Sequence, residues 1–256
     1  MTANFTSRRN AQLAVVVLSA AAVKLFYSTA GVEQLGWILA PTAFLVETVA
    51  GARFEFVSGA GYLSGDRSLL IAAPCAGVNF LITAFLMLSL RRLWGDRPRA
   101  TPWRLIPCAA LCAYLATLFA NAVRISAAMA LRGTGLASGQ LNPNQLHRLE
   151  GVSVYFVCLL LLFVMTDRRG SVDSSASDDA AGLLRRLTFP LLVYYATTLG
   201  IPILNGAYRR GDEFLEHSLF VLLIPLLLIL PLAAFRLYRD RRAAVTIKFR
   251  TFFSRV

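Results

Sequence analysis

Apolar runs closed off by arginines constrain this chain more than any other feature. Leu69 to Leu90 contains no charged residue and then meets Arg91 and Arg92. Comparable runs cover about 11–30, 103–130, 147–166, 187–204 and 217–234, with most of the charge gathered between them. About 20 apolar residues in helix match a hydrocarbon core about 30 Å thick. The chain is 57% hydrophobic with a mean hydropathy of +0.60. Soluble domains hold about 45–50% apolar residues. The net charge of +12 would suit nucleic acid. Its location does not, because most of the 26 Lys and Arg flank the runs, where they orient a chain in a bilayer. Nucleic acid is therefore not an expected partner, and the lipid bilayer is. The fold class that follows is an all-α polytopic membrane protein with about six transmembrane helices.

The basic segments give the orientation. Arg8 and Arg9 precede the first run. Arg91, Arg92, Arg97, Arg99 and Arg104 follow the second, Arg168 and Arg169 follow the fourth, and seven more Lys and Arg fill the tail from Arg236 to Arg255. Placing these inside puts both termini in the cytoplasm. Ser28-Thr29-Ala30 resembles a signal-peptidase site, but the spans that follow favour an uncleaved anchor. Residues 36–50 are apolar enough to suggest another crossing, which would put the following chain on the wrong side. Leu39 to Val49 is therefore expected as an amphipathic helix in the outer interface. Phe54 to Arg67, with aromatics and three glycines, is expected as a small extracytoplasmic hairpin. Three regions result: a membrane core over 1–166 that includes the interfacial segment 31–70, a flexible cytoplasmic linker over 167–186, and a helix pair with a basic tail over 187–256. Within the linker, Ser171 to Asp179 is rich in Ser and Asp, with Val172 its one large apolar residue.

Against this frame, Pro74-Cys75-Ala76-Gly77-Val78-Asn79-Phe80 stands out. It is expected to place a thiol on the first turn of an apolar helix, where the positive dipole end favours thiolate. Cys75 lies 16 residues before Arg91, about 24 Å at 1.5 Å per residue. Arg124 lies 21 residues after Trp103 and His147 lies 20 before Asp167, about 32 and 30 Å. A nucleophile, a cation and an acid/base from three spans thus share one depth, near the outer face. His147 suits proton transfer to and from the thiol and a leaving amine. Arg124 suits a developing oxyanion. Asn121, three residues before Arg124, and Asn79, one turn from Cys75, are supporting candidates, and His217 is a weaker second base. Cys108, Cys112 and Cys158 read as apolar filler. There is no CxxC pair and no histidine cluster, so no metal and no other cofactor is expected.

Pro-Cys-Ala-Gly-Val-Asn-Phe at 74–80, Asn121-Ala-Val-Arg124-Ile125, and His147 followed by Gly151 together resemble the exosortase/archaeosortase family, most closely the exosortase K branch. The likeness covers about residues 36–166. Ala76 departs from the family's usual Cys-Ser-Gly. The resemblance implies a membrane-embedded cysteine protease or transpeptidase that cleaves C-terminal sorting signals of exported proteins. Each signal is a short motif, a transmembrane helix and a basic tail. Cys75 would carry the acyl-enzyme, His147 the proton and Arg124 the stabilising charge, with Gly77, Asn79 and Asn121 in support. The place would be the inner (cytoplasmic) cell membrane, with the site on its extracytoplasmic face. Two other readings fit the residues: a non-catalytic membrane assembly or transport subunit, and an acyltransferase working through a Cys thioester.

Overall fold

The structure, a computed structural model, describes residues 2–94, 102–132, 143–168 and 180–253. Arg97, Arg99, residues 133–142, Arg169, Ser171 to Asp179 and Arg255 lie outside the described residues. Among the described residues, six helices are long and apolar enough to cross a membrane: Ser7–Thr29, Ala73–Leu93, Leu105–Leu131, Gln145–Asp167, Leu184–Leu204 and Asp212–Arg239. The protein is a multi-pass, all-α membrane protein. It divides into two compact units, Met1–Thr166 and Asp167–Val256.

The first unit opens with α1 (Thr2–Thr29) and α2 (Gly36–Ala50). Three short strands follow, β1 (Phe54–Val57), β2 (Gly61–Ser64) and β3 (Leu70–Ile71), and then a 3-10 turn over Ala73–Ala76. The helices α3 (Val78–Leu93), α4 (Leu105–Arg132) and α5 (Pro143–Arg168) complete it, the last two residues of α5 falling past the unit boundary. α3 is the centre, packed between α1 and α4. Val78, Phe80, Leu81, Ile82, Ala84, Phe85, Met87 and Leu88 are all buried. These residues point in every direction round the helix, the pattern of one enclosed by others.

α2 differs from the amphipathic helix expected over Leu39 to Val49. It buries Ile38, Leu39, Thr42, Ala43 and Val46 and packs along α4. Its exposed side carries Trp37, Phe44 and Val49, which are apolar. Trp37 stacks on Tyr114, whose hydroxyl donates to the Trp37 carbonyl at 2.7 Å. The one carboxylate of α2, Glu47, accepts the Phe54 amide at 2.6 Å and so faces the strands. At 15 residues, α2 is about 22 Å long, too short to cross.

The expected hairpin is a three-stranded antiparallel sheet in the order β1-β2-β3. β3 pairs Ile71 with Tyr62, so Leu70–Ile71, at the expected start of a span, is strand. Gly61 has φ 128°, and any Cβ there would run into the Ile71 carbonyl. Glu33 secures the β1–β2 turn, accepting from Ser58 Oγ at 3.1 Å and Gly59 N at 2.8 Å. Asp66 closes the β2–β3 turn, accepting from Ser64 Oγ at 2.6 Å, Ser68 N at 3.1 Å and Ser68 Oγ at 2.8 Å. The Ser64 and Ser68 hydrogen bonds hold the Asp66 carboxyl down at about 2. The sheet thus delivers the chain to Cys75 along a fixed path.

In the second unit, α6 (Ala180–Thr198) packs on α8 (Asp212–Phe253), with α7 (Gly200–Leu204) and a 3-10 turn (Ala207–Arg210) between them. The Tyr195 hydroxyl donates to the Leu222 carbonyl at 3.0 Å. The linker expected over 167–186 is helical at both ends: Asp167 and Arg168 finish α5, and 180–186 open α6. The run over 187–204 is two helices, because Gly200 and Pro202 follow Thr198 and weaken continuous helix there. His217 lies in α8.

Candidate functional site

Cys75 does not sit on the first turn of α3. It lies in the Ala73–Ala76 turn, its amide donating to the Ala72 carbonyl at 2.8 Å. Gly77 follows in the left-handed region at φ 65°, and α3 begins only at Val78. Proline at the start of the turn supplies its φ, and Gly77 is the residue type that tolerates its exit. Gly77 is also sterically required. A Cβ there would stand 2.9 Å from Asn121 Cγ and closer still to its oxygen. The turn sets the thiol off the axis of α3, half-buried and without a disulfide partner.

Asn121 fastens this turn to α4. Its Nδ2 donates to the Ala76 carbonyl at 3.0 Å, and its side chain is 1% exposed. Its Oδ1 accepts from the Tyr155 hydroxyl of α5 at 2.8 Å. The Tyr155 oxygen in turn accepts from Arg124 Nη1 at 2.8 Å. Arg124 reaches His147 through Nη2, 3.0 Å from Nε2. A guanidinium only donates, so the His147 Nε2 is the acceptor and its proton is on Nδ1. Nδ1 faces Glu150 Oε2 at 3.9 Å. Every direction in this chain follows from the arginine: Tyr155 accepts and then donates, leaving the Asn121 amide nitrogen for Ala76.

The arrangement brings together the residues expected from three spans. Arg124, 8% exposed, and Asn121 come from α4, His147 comes from α5, and the thiol stands one residue from the carbonyl that Asn121 holds. Cys75 lies within electrostatic range of Arg124, Tyr155 and Tyr27. Asn79 is exposed and turned towards α1, where its Oδ1 accepts from Lys24 Nζ at 3.0 Å. Tyr27, also of α1, donates to the Ala73 carbonyl at 3.3 Å. Among the described residues there is no cluster of metal-ligating side chains.

Tyr155, Glu150, Lys24 and Tyr27 went unrecognised in the sequence. Tyr155 had a readable signal. His147, Gly151 and Tyr155 recur every four residues, which puts them on one helix face. Gly151 lies against the Arg124 side chain, whose Nε is at ordinary contact distance, 3.7 Å, from where a Cβ would stand. Phe80 of α3 stacks on the Tyr155 ring at 5.2 Å and fixes it from the other side. Lys24 and Tyr27 had no comparable signal, because nothing in the order of the chain says which helix lies beside α3.

No family model matches the chain, and no curated protein or solved structure matches it. Chemistry alone therefore describes the site. It is a free thiol on a rigid turn, with a multidentate cation and a neutral imidazole on one side and an ammonium-held amide on the other. Such a set can accept an acyl group and stabilise the negative charge that forms on the way.

Proposed function

We propose that the protein is a membrane-embedded cysteine peptidase or transpeptidase. Its substrates are exported proteins held by a C-terminal transmembrane helix, and it acts at the extracytoplasmic face of the cytoplasmic membrane. The observation that carries this reading is the hydrogen-bonded path from His147 through Arg124, Tyr155 and Asn121 to the carbonyl beside Cys75. A buried cation is costly near hydrocarbon and is retained where it does work. The resemblance of the three motifs to exosortases supports the substrate class.

In the reaction, the Cys75 sulfur attacks the scissile carbonyl and an S–C bond forms as the carbonyl pair moves to oxygen. The thiol proton passes to His147 Nε2. At rest the one lone pair of Nε2 accepts from Arg124, so Nη2 leaves it as the proton arrives. The freed Nη2 turns to the oxyanion, so activation of the nucleophile and release of the stabilising donor are coupled. Collapse breaks the C–N bond, and the leaving amine takes the proton from His147. Water or an amine acceptor then resolves the thioester. Tethering in two dimensions supplies proximity without tight binding.

The test is Cys75→Ser in cells. An intact precursor retaining its C-terminal helix accumulates if the reading holds, and normal processing with the variant properly inserted sinks it. A membrane-impermeant maleimide applied to intact cells checks the face, with a label that disappears in Cys75→Ala.

A further inference from the structure

α1 brings a lysine into the membrane-facing bundle. Lys24 lies inside the span Ser7–Thr29, and no carboxylate pairs with it among the described residues. Its partners are the Asn79 Oδ1 at 3.0 Å and the Tyr27 ring, with its centroid 5.4 Å away. An ammonium has three donors and no acceptor, so it faces the oxygen of the Asn79 amide and fixes that amide against flipping. The two Nδ2 hydrogens are then turned away from Lys24. Among the described residues Nδ2 donates to no protein acceptor. Asn79 is exposed and four residues past Cys75, across the break at Gly77. Tyr27 secures the same α1 turn to the Cys75 segment through the Ala73 carbonyl.

We infer that Lys24 is a positioning residue that presents the Asn79 amide nitrogen as a second oxyanion donor beside Cys75, on the α1 side, complementing Arg124 on the α4 side. The inference rests on the nucleophilic role proposed for Cys75. Lys24 touches no substrate and acts through Asn79.

The experiment separates acyl transfer from thiol reactivity in the full-length protein in detergent, with Cys108, Cys112 and Cys158 replaced by Ser. The acyl donor is p-nitrophenyl acetate. The Cys75 sulfur bonds to the acetyl carbon, an oxyanion forms and collapses, p-nitrophenolate leaves, and the thiol proton passes to solvent by way of His147. The comparison reagent is iodoacetamide, which alkylates the same sulfur with loss of iodide and forms no oxyanion. Lys24→Met and Asn79→Ala are each expected to slow the acylation burst about fivefold to tenfold, less than the roughly 100-fold of a buried oxyanion donor because water partly replaces an exposed one, while alkylation stays within twofold. Asn79→Asp keeps the partner of Lys24 but has no N–H, and is expected to behave like Asn79→Ala. Lys24→Arg is expected to restore most of the rate. The double variant Lys24→Met/Asn79→Ala is expected to be no slower than Asn79→Ala alone. Equal losses in both reactions, or additive losses in the double variant, overturn the inference and make Lys24 a packing contact between α1 and α3. A burst that persists in Cys75→Ala overturns the nucleophile reading itself, and that outcome is distinct from an unchanged burst in Lys24→Met.

Discussion

The two sides of Cys75 are built differently. On the α4–α5 side, Arg124 and Asn121 are buried, and four hydrogen bonds run unbroken from His147 to the Ala76 carbonyl. On the α1 side there are two separate hydrogen bonds, an exposed one from Lys24 to Asn79 and a long, half-buried one from Tyr27 to the Ala73 carbonyl at 3.3 Å. Buried polar groups lose most when a partner is removed, because no water replaces it, whereas exposed ones recover much of the loss. The α4–α5 side is thus the rigid part, holding backbone and charge in one geometry. The α1 side is the adjustable part, open to whatever approaches the thiol.

The largest effect tests what the two sides share. Cys75→Ala is expected to abolish acyl transfer, with no residual burst from p-nitrophenyl acetate. Arg124→Lys comes next. A single ammonium cannot bridge Tyr155 and His147 as the forked guanidinium does, so acyl transfer should fall roughly 100-fold or more, the scale of a lost oxyanion donor. Tyr155→Phe keeps the ring stacked on Phe80 but leaves Asn121 Oδ1 buried without its donor. It should cost about 1–3 kcal/mol of stability, read as a lower unfolding midpoint in detergent. Lys24→Met on the open side should slow acylation less than either, with little change in unfolding. If Lys24→Met destabilises the protein more than Tyr155→Phe, the contrast between the two sides is wrong.

The smallest effect lies furthest from the thiol. The Asp66 carboxyl, held at about 2 against an ordinary 3.8, is lowered in the folded protein. Its contribution is present above 3.8 and is lost as pH falls through about 2. Protection of the Ser68 and Leu69 amides against hydrogen exchange should therefore drop over that acid window. In Asp66→Asn it should be weaker throughout and flat across the window. Activity near neutral pH should not change.

How much of this was legible can be judged residue by residue. Runs of apolar residues mark the spans, and counting along three of them predicts one depth for Cys75, Arg124 and His147. It does not predict the side-chain path between them. Counting gives height along a helix but not rotation about it, so Tyr155 was missed although it shares a face with His147. Pro74 suits the start of either kind of helix, so the order of residues does not separate the Cys75 turn from the first turn of α3. What decided it was Gly77 packed against Asn121, a contact between residues 44 positions apart. Charge placement keeps α2 from counting as a crossing, but it does not say which way Glu47 turns, and its partner is the Phe54 amide.

By itself, the sequence determined that this chain is a multi-pass membrane protein and which segments are long and apolar enough to cross. Those are consequences of transfer free energy and helix rise, which act on each segment separately. Only the tertiary structure decided which atoms meet: Arg124 with both Tyr155 and His147, Asn121 with Ala76, and Lys24 with Asn79. Such contacts depend on how whole helices rotate and pack against one another, and packing is settled by the shapes of all the neighbours at once.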